Sequence, residues 1–193
     1  MKISSTRILE LNEKYNLIGG LSEREATNPE GSGFDLRVGR VDKIVGESFL
    51  GVAERRSPET ELLGEIERDG TKSITIVPGE TYLVQTIETV NAPKEKVKYD
   101  PNFPEAYLGI DISARTSLMR GGIQLLHGRV NPGYKGPLTM AIHNSSKYNF
   151  IFELGARMFD IEFVPVIGEL TRTYSGQHQG GRVTSGGVTE TQN

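Results

Sequence analysis

The sequence of 193 residues contains no cysteine. This absence excludes disulfide bonds, thiolate nucleophiles and zinc sites built from cysteine. The histidines, His127, His143 and His178, are scattered and lack the i, i+4 spacing that places two imidazoles on one helix face. We therefore expect no metal ion ligated directly by the protein, and any chemistry must come from oxygen and nitrogen groups.

Long hydrophobic runs are also missing. No stretch of about 18 apolar residues occurs, and the N-terminal segment MKISSTRILELNEKYN lacks the apolar centre of a secretion signal. The formal net charge of -3 provides no basic field that would hold a polyanion such as duplex DNA. These features predict a soluble cytoplasmic protein with neither a membrane nor a nucleic acid as its partner.

The sequence does contain many short apolar or alternating segments separated by Gly, Pro and Asn. They are FDLRVG, SITIVP, TYLVQTIETV, GIQLLHGRV, LTMAIHN, FIFELG and MFDIEFVPVI. Such a series is typical of an antiparallel sandwich or jelly-roll barrel. Ile8, Leu9 and Leu11 recur near helical spacing, which predicts one helix over residues 5–15. The expected fold is mainly β, a jelly-roll-like distorted barrel with a short N-terminal helix.

The length fits a single domain. We interpret residues 1–173 as this β domain. Residues 174–193 are rich in Gly, Ser, Thr and Gln and have almost no apolar content, which is typical of a flexible tail. Residues 51–72 are charged and have weak strand character, so we expect a solvated surface loop there.

Two polar segments, residues 31–37 and residues 113–122, contain groups that suit anionic ligands. In GSGFDLR, Asp35 begins a strand and can orient a loop or hold water on a metal-bound triphosphate, although on its own this segment is more typical of a plain turn before a strand. In SARTSLMRGG, Arg115 and Arg120 flank the hydroxyls of Thr116 and Ser117, a donor set suited to phosphate oxygens. The alternative is an ordinary short helix with exposed arginines.

Two further segments carry turn glycines beside potential ligand contacts. Residues 128–136, GRVNPGYKG, predict strand, tight turn and strand, with Tyr134 either stacking on a sugar or base or covering the core. Residues 176–187, GQHQGGRVTSGG, form a strip of N–H, hydroxyl and guanidinium donors. Such a strip can fold over a triphosphate.

In chain order, these segments resemble the motifs of the dCTP deaminase and dUTPase superfamily, more closely those of the deaminase branch. GSGFDLRVG resembles the first motif, and PGETYLVQTIETVNAP resembles the deaminase strand pair. SARTSLMRGG resembles the Arg-Ser-Ser-Leu-x-Arg-x-Gly phosphate motif, and GRVNPGYKGPLTMAIHN resembles Arg-Ile-Asp-Pro-Gly-Trp-x-Gly with its following strand. ELGARMFDIEF resembles the late Gly-containing strand, and GGRVTSGG resembles the glycine-rich tail that closes the site.

The resemblance implies a dUTPase-like barrel that forms a homotrimer with three sites at its subunit interfaces. Each site would bind a pyrimidine deoxynucleoside triphosphate, dCTP or dUTP, with Mg²⁺ held mainly through the phosphates. Asp35 and Asp160 would orient the site or hold metal-bound water. The residues implied to contact the nucleotide or its phosphates are Arg115, Thr116, Ser117, Arg120, Arg129, Asn131, Tyr134, Gly181, Arg182, Thr184 and Ser185.

The sequence departs from this family at the catalytic positions. Ala141 stands where deaminases have the proton-transferring glutamate, and Asn131 stands where dUTPases have the aspartate that activates water. Neither side chain accepts a proton near neutral pH. The segment between Asp111 and Glu153 contains no other carboxylate. The best replacement base is His127, since imidazole titrates in the right range, although a lone strand histidine is more often structural.

Two hypotheses about function follow. In the first, the protein is an enzyme that deaminates dCTP or releases diphosphate, with His127 or Asp160 replacing the missing acid. In the second, the trimer binds, sequesters or senses a nucleotide, or regulates a partner, without turnover. Asp160 itself is a departure, because glutamine is usual at that position in the family.

Overall fold

The computed structural model describes residues 1–192. Asn193, the last residue of the predicted tail, lies outside the described residues. The helices are α1 (Ser5–Tyr15), α2 (Glu23–Thr27), α3 (Ile66–Asp69) and α4 (Thr116–Arg120). The strands are β1 (Ile18–Gly19), β2 (Gly33–Ile44), β3 (Phe49–Leu50), β4 (Glu54–Arg56), β5 (Thr60–Glu65), β6 (Ser73–Ile76), β7 (Thr81–Asn91), β8 (Tyr107–Ala114), β9 (Ile123–Leu126), β10 (Lys135–Asn144), β11 (Phe150–Glu153), β12 (Arg157–Val166) and β13 (Thr189–Thr191).

The strands form a nearly closed antiparallel barrel. Its main sheet has the order β8-β12-β2-β7-β10-β9, with β1 added to β7 and β5 added to β2. A single bridge between Ile110 and Val130 connects β8 to the segment after β9. Two small sheets complete the fold, β6-β11 and β13-β4-β3. This architecture confirms the expected mainly β, jelly-roll-like barrel, and α1 confirms the predicted N-terminal helix.

Alternating side chains build one hydrophobic core inside the barrel. On β10, Leu138, Met140 and Ile142 point inward and are at most 4% exposed. Their neighbours Thr139 and Ala141 therefore point outward, because successive strand residues face opposite sides of a sheet. Helix α1 covers the barrel with its buried residues, and the Ser4 hydroxyl accepts from the Arg7 amide to cap it.

The expectation of a solvated loop over residues 51–72 is wrong. This segment contains β4, β5 and α3, and β5 pairs with the distal half of β2 from Arg40 to Ile44. The backbone hydrogen bonds of β5 are satisfied by β2, so its charged side chains can face solvent from an edge strand. The high charge of this segment is the reason that β5 was not predicted from the sequence.

Two other elements differ from the sequence-based expectation. Strand β8, which pairs with β12 along its whole length, was not among the predicted strands. Conversely, Gly128 to Val130 form no strand beyond the single bridge at Val130, so the turn of residues 131–134 leads directly into β10.

Within residues 1–192, no helix combines the length and the apolar character needed to cross a membrane.

Asn144 fixes the end of β10 and provides a stability test. Its buried amide donates to the carbonyls of Ile76 (2.9 Å) and Tyr148 (2.8 Å), and its oxygen accepts from the Ser146 amide (3.0 Å). Asn144→Ala leaves these groups unpaired, so we expect the free energy of unfolding to fall by about 2–4 kcal/mol in urea denaturation. Asn102→Ala, at an exposed site, is the control and should change it by less than about 0.5 kcal/mol. Equal effects would contradict this role.

Candidate functional site

A cavity of about 580 Å³ lies between β10, the loop after β9 and the C-terminal segment. It is lined by Leu83, Ile112, Leu126, His127, Gly128, Arg129, Val130, Asn131, Tyr134, Leu138, Thr139, Met140, Ala141, Tyr174, His178, Arg182 and Val183. Five residues singled out by the sequence thus meet at one place: His127, Arg129, Asn131, Tyr134 and Arg182. Ala141, the residue at the glutamate position, lines the same cavity.

Tyr134 forms an aromatic wall of this cavity together with Tyr174. Its hydroxyl donates to the carbonyl of Pro137, and its ring meets that of Tyr174 edge-on at a centroid distance of 5.6 Å. Burial raises the pKa of Tyr134 to about 12, so the phenol stays neutral at physiological pH. The ring, rather than the hydroxyl, is therefore the part available to a ligand.

The C-terminal segment closes the other side of the cavity. The amide of Gly180 donates to the Lys135 carbonyl at 3.0 Å. A Cβ on Gly136 would lie 2.7 Å from the Gly180 carbonyl carbon, so only glycine permits this approach. Gln85, on β7, donates to Thr139 Oγ1 at 2.9 Å and also to the carbonyl of Gly181. Gln85 thus joins the segment to the cavity floor.

The residues beyond Gly181 are engaged with their own chain. The Thr184 hydroxyl donates to the Pro58 carbonyl, and Ser185 Oγ accepts from the Ser57 amide at 3.0 Å. Strand β13 then pairs with β4. Two hydroxyls that the resemblance assigns to phosphate are therefore used here to hold the tail against residues 57–58. Arg182 differs, because its side chain lines the cavity and pairs with Glu190 at 2.5 Å.

A second cluster of predicted residues surrounds Asp35. Its carboxylate pairs with Arg115 Nε at 3.2 Å and with Arg157 Nη1 at 2.9 Å. Glu25, on α2 and 1% exposed, accepts from the Asp35 amide at 3.0 Å. Burial raises the pKa of Asp35, and Arg115 opposes that effect. Sequence reasoning missed Glu25 and Arg157, because their proximity depends on the pairing of β2 with β12.

The short helix α4 begins immediately after Arg115 and carries the other predicted phosphate contacts. Thr116, Ser117 and Arg120 are all exposed on it. None of residues 115–120 lines the cavity. In one chain, the cavity and this cationic helix are therefore separate surfaces.

Asp160, on β12, lies directly opposite Asp35 of β2 and has unusual electrostatics. Burial raises its pKa to about 6, and the negative charges of Glu162, Asp35 and Glu25 add to the effect. Its carboxylate covers Gly33, where a Cβ would lie 2.1 Å from Asp160 Oδ2. A larger residue at position 33 would displace the carboxylate.

No carboxylate lines the cavity within residues 1–192. His127 is the side chain in the cavity best suited to act as a base. It is exposed, and its Nδ1 lies 3.1 Å from the Gly128 carbonyl oxygen. Nε2 has no hydrogen-bond partner in the described part of the chain. Two imidazoles, those of His127 and His178, line the cavity. Its lining can bind an aromatic ring and an anionic group.

Comparison with known proteins assigns this architecture to a family. Residues 3–166 match the model of the dCTP deaminase-like family. The chain belongs to the dCTP deaminase-like family. It is similar to a dCTP deaminase of Pyrococcus horikoshii, with 30% identity over 167 residues that cover 86% of each chain. It is also similar to a probable deoxyuridine 5′-triphosphate nucleotidohydrolase of Methanothermobacter thermautotrophicus, with 26% identity over 148 residues, 77% of this chain and 85% of the relative.

The fold is also similar to that of a solved structure. The 2′-deoxycytidine 5′-triphosphate deaminase from Agrobacterium tumefaciens matches with a TM-score of 0.59 and 16% sequence identity. The match covers 84% of this chain and 47% of that chain, so this protein spans about half the length of the bacterial one. This likeness shows the dUTPase-like fold, while the family match over residues 3–166 and the similarity to dCTP deaminases place the chain nearer to the deaminase branch.

The raised pKa of Asp160 predicts a pH-dependent stability. Below about pH 3 the carboxyl is protonated in the folded and unfolded chains alike and has no effect, because this pH lies well below its ordinary pKa of 3.8. As pH rises towards 6, the unfolded chain releases the proton while the folded chain retains it, so the folded state loses stability. Solvent screening of this partly exposed group limits the loss to about 1 kcal/mol.

Asp160→Asn removes this cost. We expect the variant to be about 1 kcal/mol more stable than the parent at pH 7 and equally stable near about pH 3. Urea denaturation at four pH values between about 3 and 7 measures the difference. A variant that is less stable at pH 7, or a difference that does not change with pH, would contradict the assignment.

Proposed function

We propose that this protein binds a pyrimidine deoxynucleoside triphosphate, dCTP or dUTP, in the cavity without turning it over by the carboxylate chemistry of its family. One observation carries the proposal. The cavity retains an aromatic wall and the cations Arg129 and Arg182, while Ala141 and Asn131 provide no proton acceptor. General acid–base catalysis typically contributes about 10²–10⁴-fold, so its loss leaves a binding protein. Sequestration or regulation is the role that fits.

The triphosphate requires more cations than the cavity of one chain supplies. Arg115 and Arg120, with the hydroxyls on α4, form a suitable set of charge-assisted donors, but they lie outside the cavity. A neighbouring copy could bring α4 to the cavity mouth. We therefore propose a homotrimer with the sites at its subunit interfaces, which static light scattering at micromolar concentration tests: three chains support it and a monomer refutes it.

Mg²⁺ fits this site as a companion of the nucleotide. Within residues 1–192, no three His, Asp or Glu side chains are grouped to hold a metal ion. Asp35 is paired with Arg115 and Arg157, and it can orient water on an ion held by the phosphates. When bound, the ion would neutralise phosphate charge. The chain's own contribution is to position the triphosphate through arginines and hydroxyls.

A second candidate function is catalysis by a substitute base. His127 favours it, because its exposed ring lines the cavity with Nε2 unengaged. Asp160, the other predicted substitute, has a pKa of about 6 that suits proton transfer near neutrality, but it does not line the cavity. This enzyme would deaminate dCTP or release diphosphate, and His127→Ala would abolish the reaction.

Restoring the missing carboxylate tests the binding proposal. Ala141→Glu places a carboxyl in the cavity, and we expect measurable release of ammonia from dCTP that the parent does not give. Adding Arg115→Ala removes charge-assisted phosphate contacts of about 1.5–3 kcal/mol and should lower dCTP affinity about ten- to a hundredfold. Lys147→Ala, an exposed substitution away from both clusters, is the matched control.

Two results would count against this account. The first is ordinary deamination by the parent that His127→Ala leaves unchanged. The second is Ala141→Glu protein that stays inactive although it remains folded and binds dCTP as tightly as the parent. Circular dichroism checks folding, because a buried glutamate without partners can stay protonated or destabilise the barrel.

A further inference from the structure

A second cavity, of about 690 Å³, lies on the far side of Asn131 and Tyr174 from the nucleotide cavity. Both residues line both cavities. The second cavity is bounded by the β13-β4-β3 sheet and by the segment from residue 170 to residue 177. We call it the rear cavity. Two of its other lining residues, Arg55 and Arg172, belong to none of the segments that carry the family resemblance, and neither lines the nucleotide cavity.

Two arginines in the rear cavity have no counterion. Arg55 on β4 and Arg172 at the rim line it, and neither forms an ion pair or a side-chain hydrogen bond within residues 1–192. Arg55 Nε is buried and has no hydrogen-bond partner in that range. A buried charged donor without an acceptor is costly, and buried polar groups are usually paired. The walls of the cavity therefore provide no acceptor for Arg55 Nε, and a bound ligand could provide one.

The remaining charges leave the rear cavity positive. Glu190 is its only carboxylate within the described residues, and it lies opposite Arg55 in the β13–β4 ladder. Its charge is compensated from the other side by Arg182 at 2.5 Å. The buried Oε1 of Gln177 also has no partner among residues 1–192, and it can accept from water or from a protonated ligand oxygen.

We propose that the rear cavity binds a phosphate-type oxyanion, held by Arg55 and Arg172. Guanidinium groups favour phosphate, because their planar donors match its oxygens. The volume accommodates a diphosphate as well as inorganic phosphate. The anion is either a free phosphate or diphosphate, or the terminal phosphates of a nucleotide whose base occupies the neighbouring cavity.

Titration calorimetry of the full chain with sodium diphosphate at constant ionic strength tests this site. We expect one diphosphate per chain, and Arg55→Gln and Arg172→Gln should each weaken it at least about tenfold. Arg56→Gln is the matched control: it removes the same group from the adjacent residue of β4, whose side chain faces the opposite side of the small sheet. Its dissociation constant should stay within about twofold of the parent value.

Adding dCTP distinguishes the two sources of the anion. If dCTP displaces diphosphate and Arg55→Gln weakens both, the site holds the nucleotide's own phosphates; if both bind together, it holds a separate anion. Either result supports the site. The proposal is overturned if diphosphate does not bind, or if Arg55→Gln behaves like Arg56→Gln in folded protein. Since diphosphate alone is the probe, failure of nucleotide binding would leave this test intact.

Thermal unfolding provides an independent readout. A ligand that binds only the folded chain raises its melting temperature, so diphosphate should stabilise the parent and Arg56→Gln but not Arg55→Gln. Equal stabilisation of the parent and the two variants would place the anion elsewhere, for example at α4. A neighbouring subunit that filled the rear cavity would likewise abolish the difference and refute the proposal.

Discussion

The antiparallel pairing of β10 with β7 is the constraint on which the rest of the structure depends. Its register places Ala141 opposite Leu83 and Thr139 opposite Gln85. One face of this ladder supplies core residues, and the other forms the floor of the cavity beside Tyr134. A slip of one residue would exchange the two faces, so core packing also fixes the cavity floor.

The same ladder holds the C-terminal segment in place. Gln85 bridges Thr139 and the Gly181 carbonyl, so the tail is attached to the floor rather than to a separate support. Beyond this attachment, Arg182 and Glu190 join the two cavities through one ion pair. An anion in either cavity therefore acts on the same pair of charges, and occupancy of one cavity should influence the other.

Much of the barrel could be predicted from the sequence because its signals are local. The apolar spacing in residues 5–15 and the alternation in β7, β10 and β12 follow directly from the periods of helices and strands. Strand β5 was missed because its charged side chains resemble those of a loop, while its stability comes from β2, distant in the chain. Strand β8 was missed although Leu108, Ile110 and Ile112 alternate clearly.

The candidate site was predicted less completely, since its geometry depends on contacts between distant segments. The turn and tail motifs identified Arg129, Asn131, Tyr134 and Arg182, which meet in the cavity. His127, which also lines it, was identified only as a replacement base. Gln85 and Glu25 carried no signal, because a glutamine on a strand or a glutamate in a short helix is ordinary until its partner is known. Nor did the sequence indicate that Ser185 would contact Ser57, because the tail's composition alone suggested flexibility.

The central claim is that the cavity binds a pyrimidine nucleotide without consuming it. The most direct measurement is a calorimetric titration of the parent protein with dCTP and dUTP in the presence of Mg²⁺, with chromatography of the nucleotide afterwards. We predict saturable binding and recovery of intact triphosphate after prolonged incubation. Conversion of dCTP to dUTP, or release of diphosphate, at an ordinary enzymatic rate of about 1 s⁻¹ or more would contradict the account.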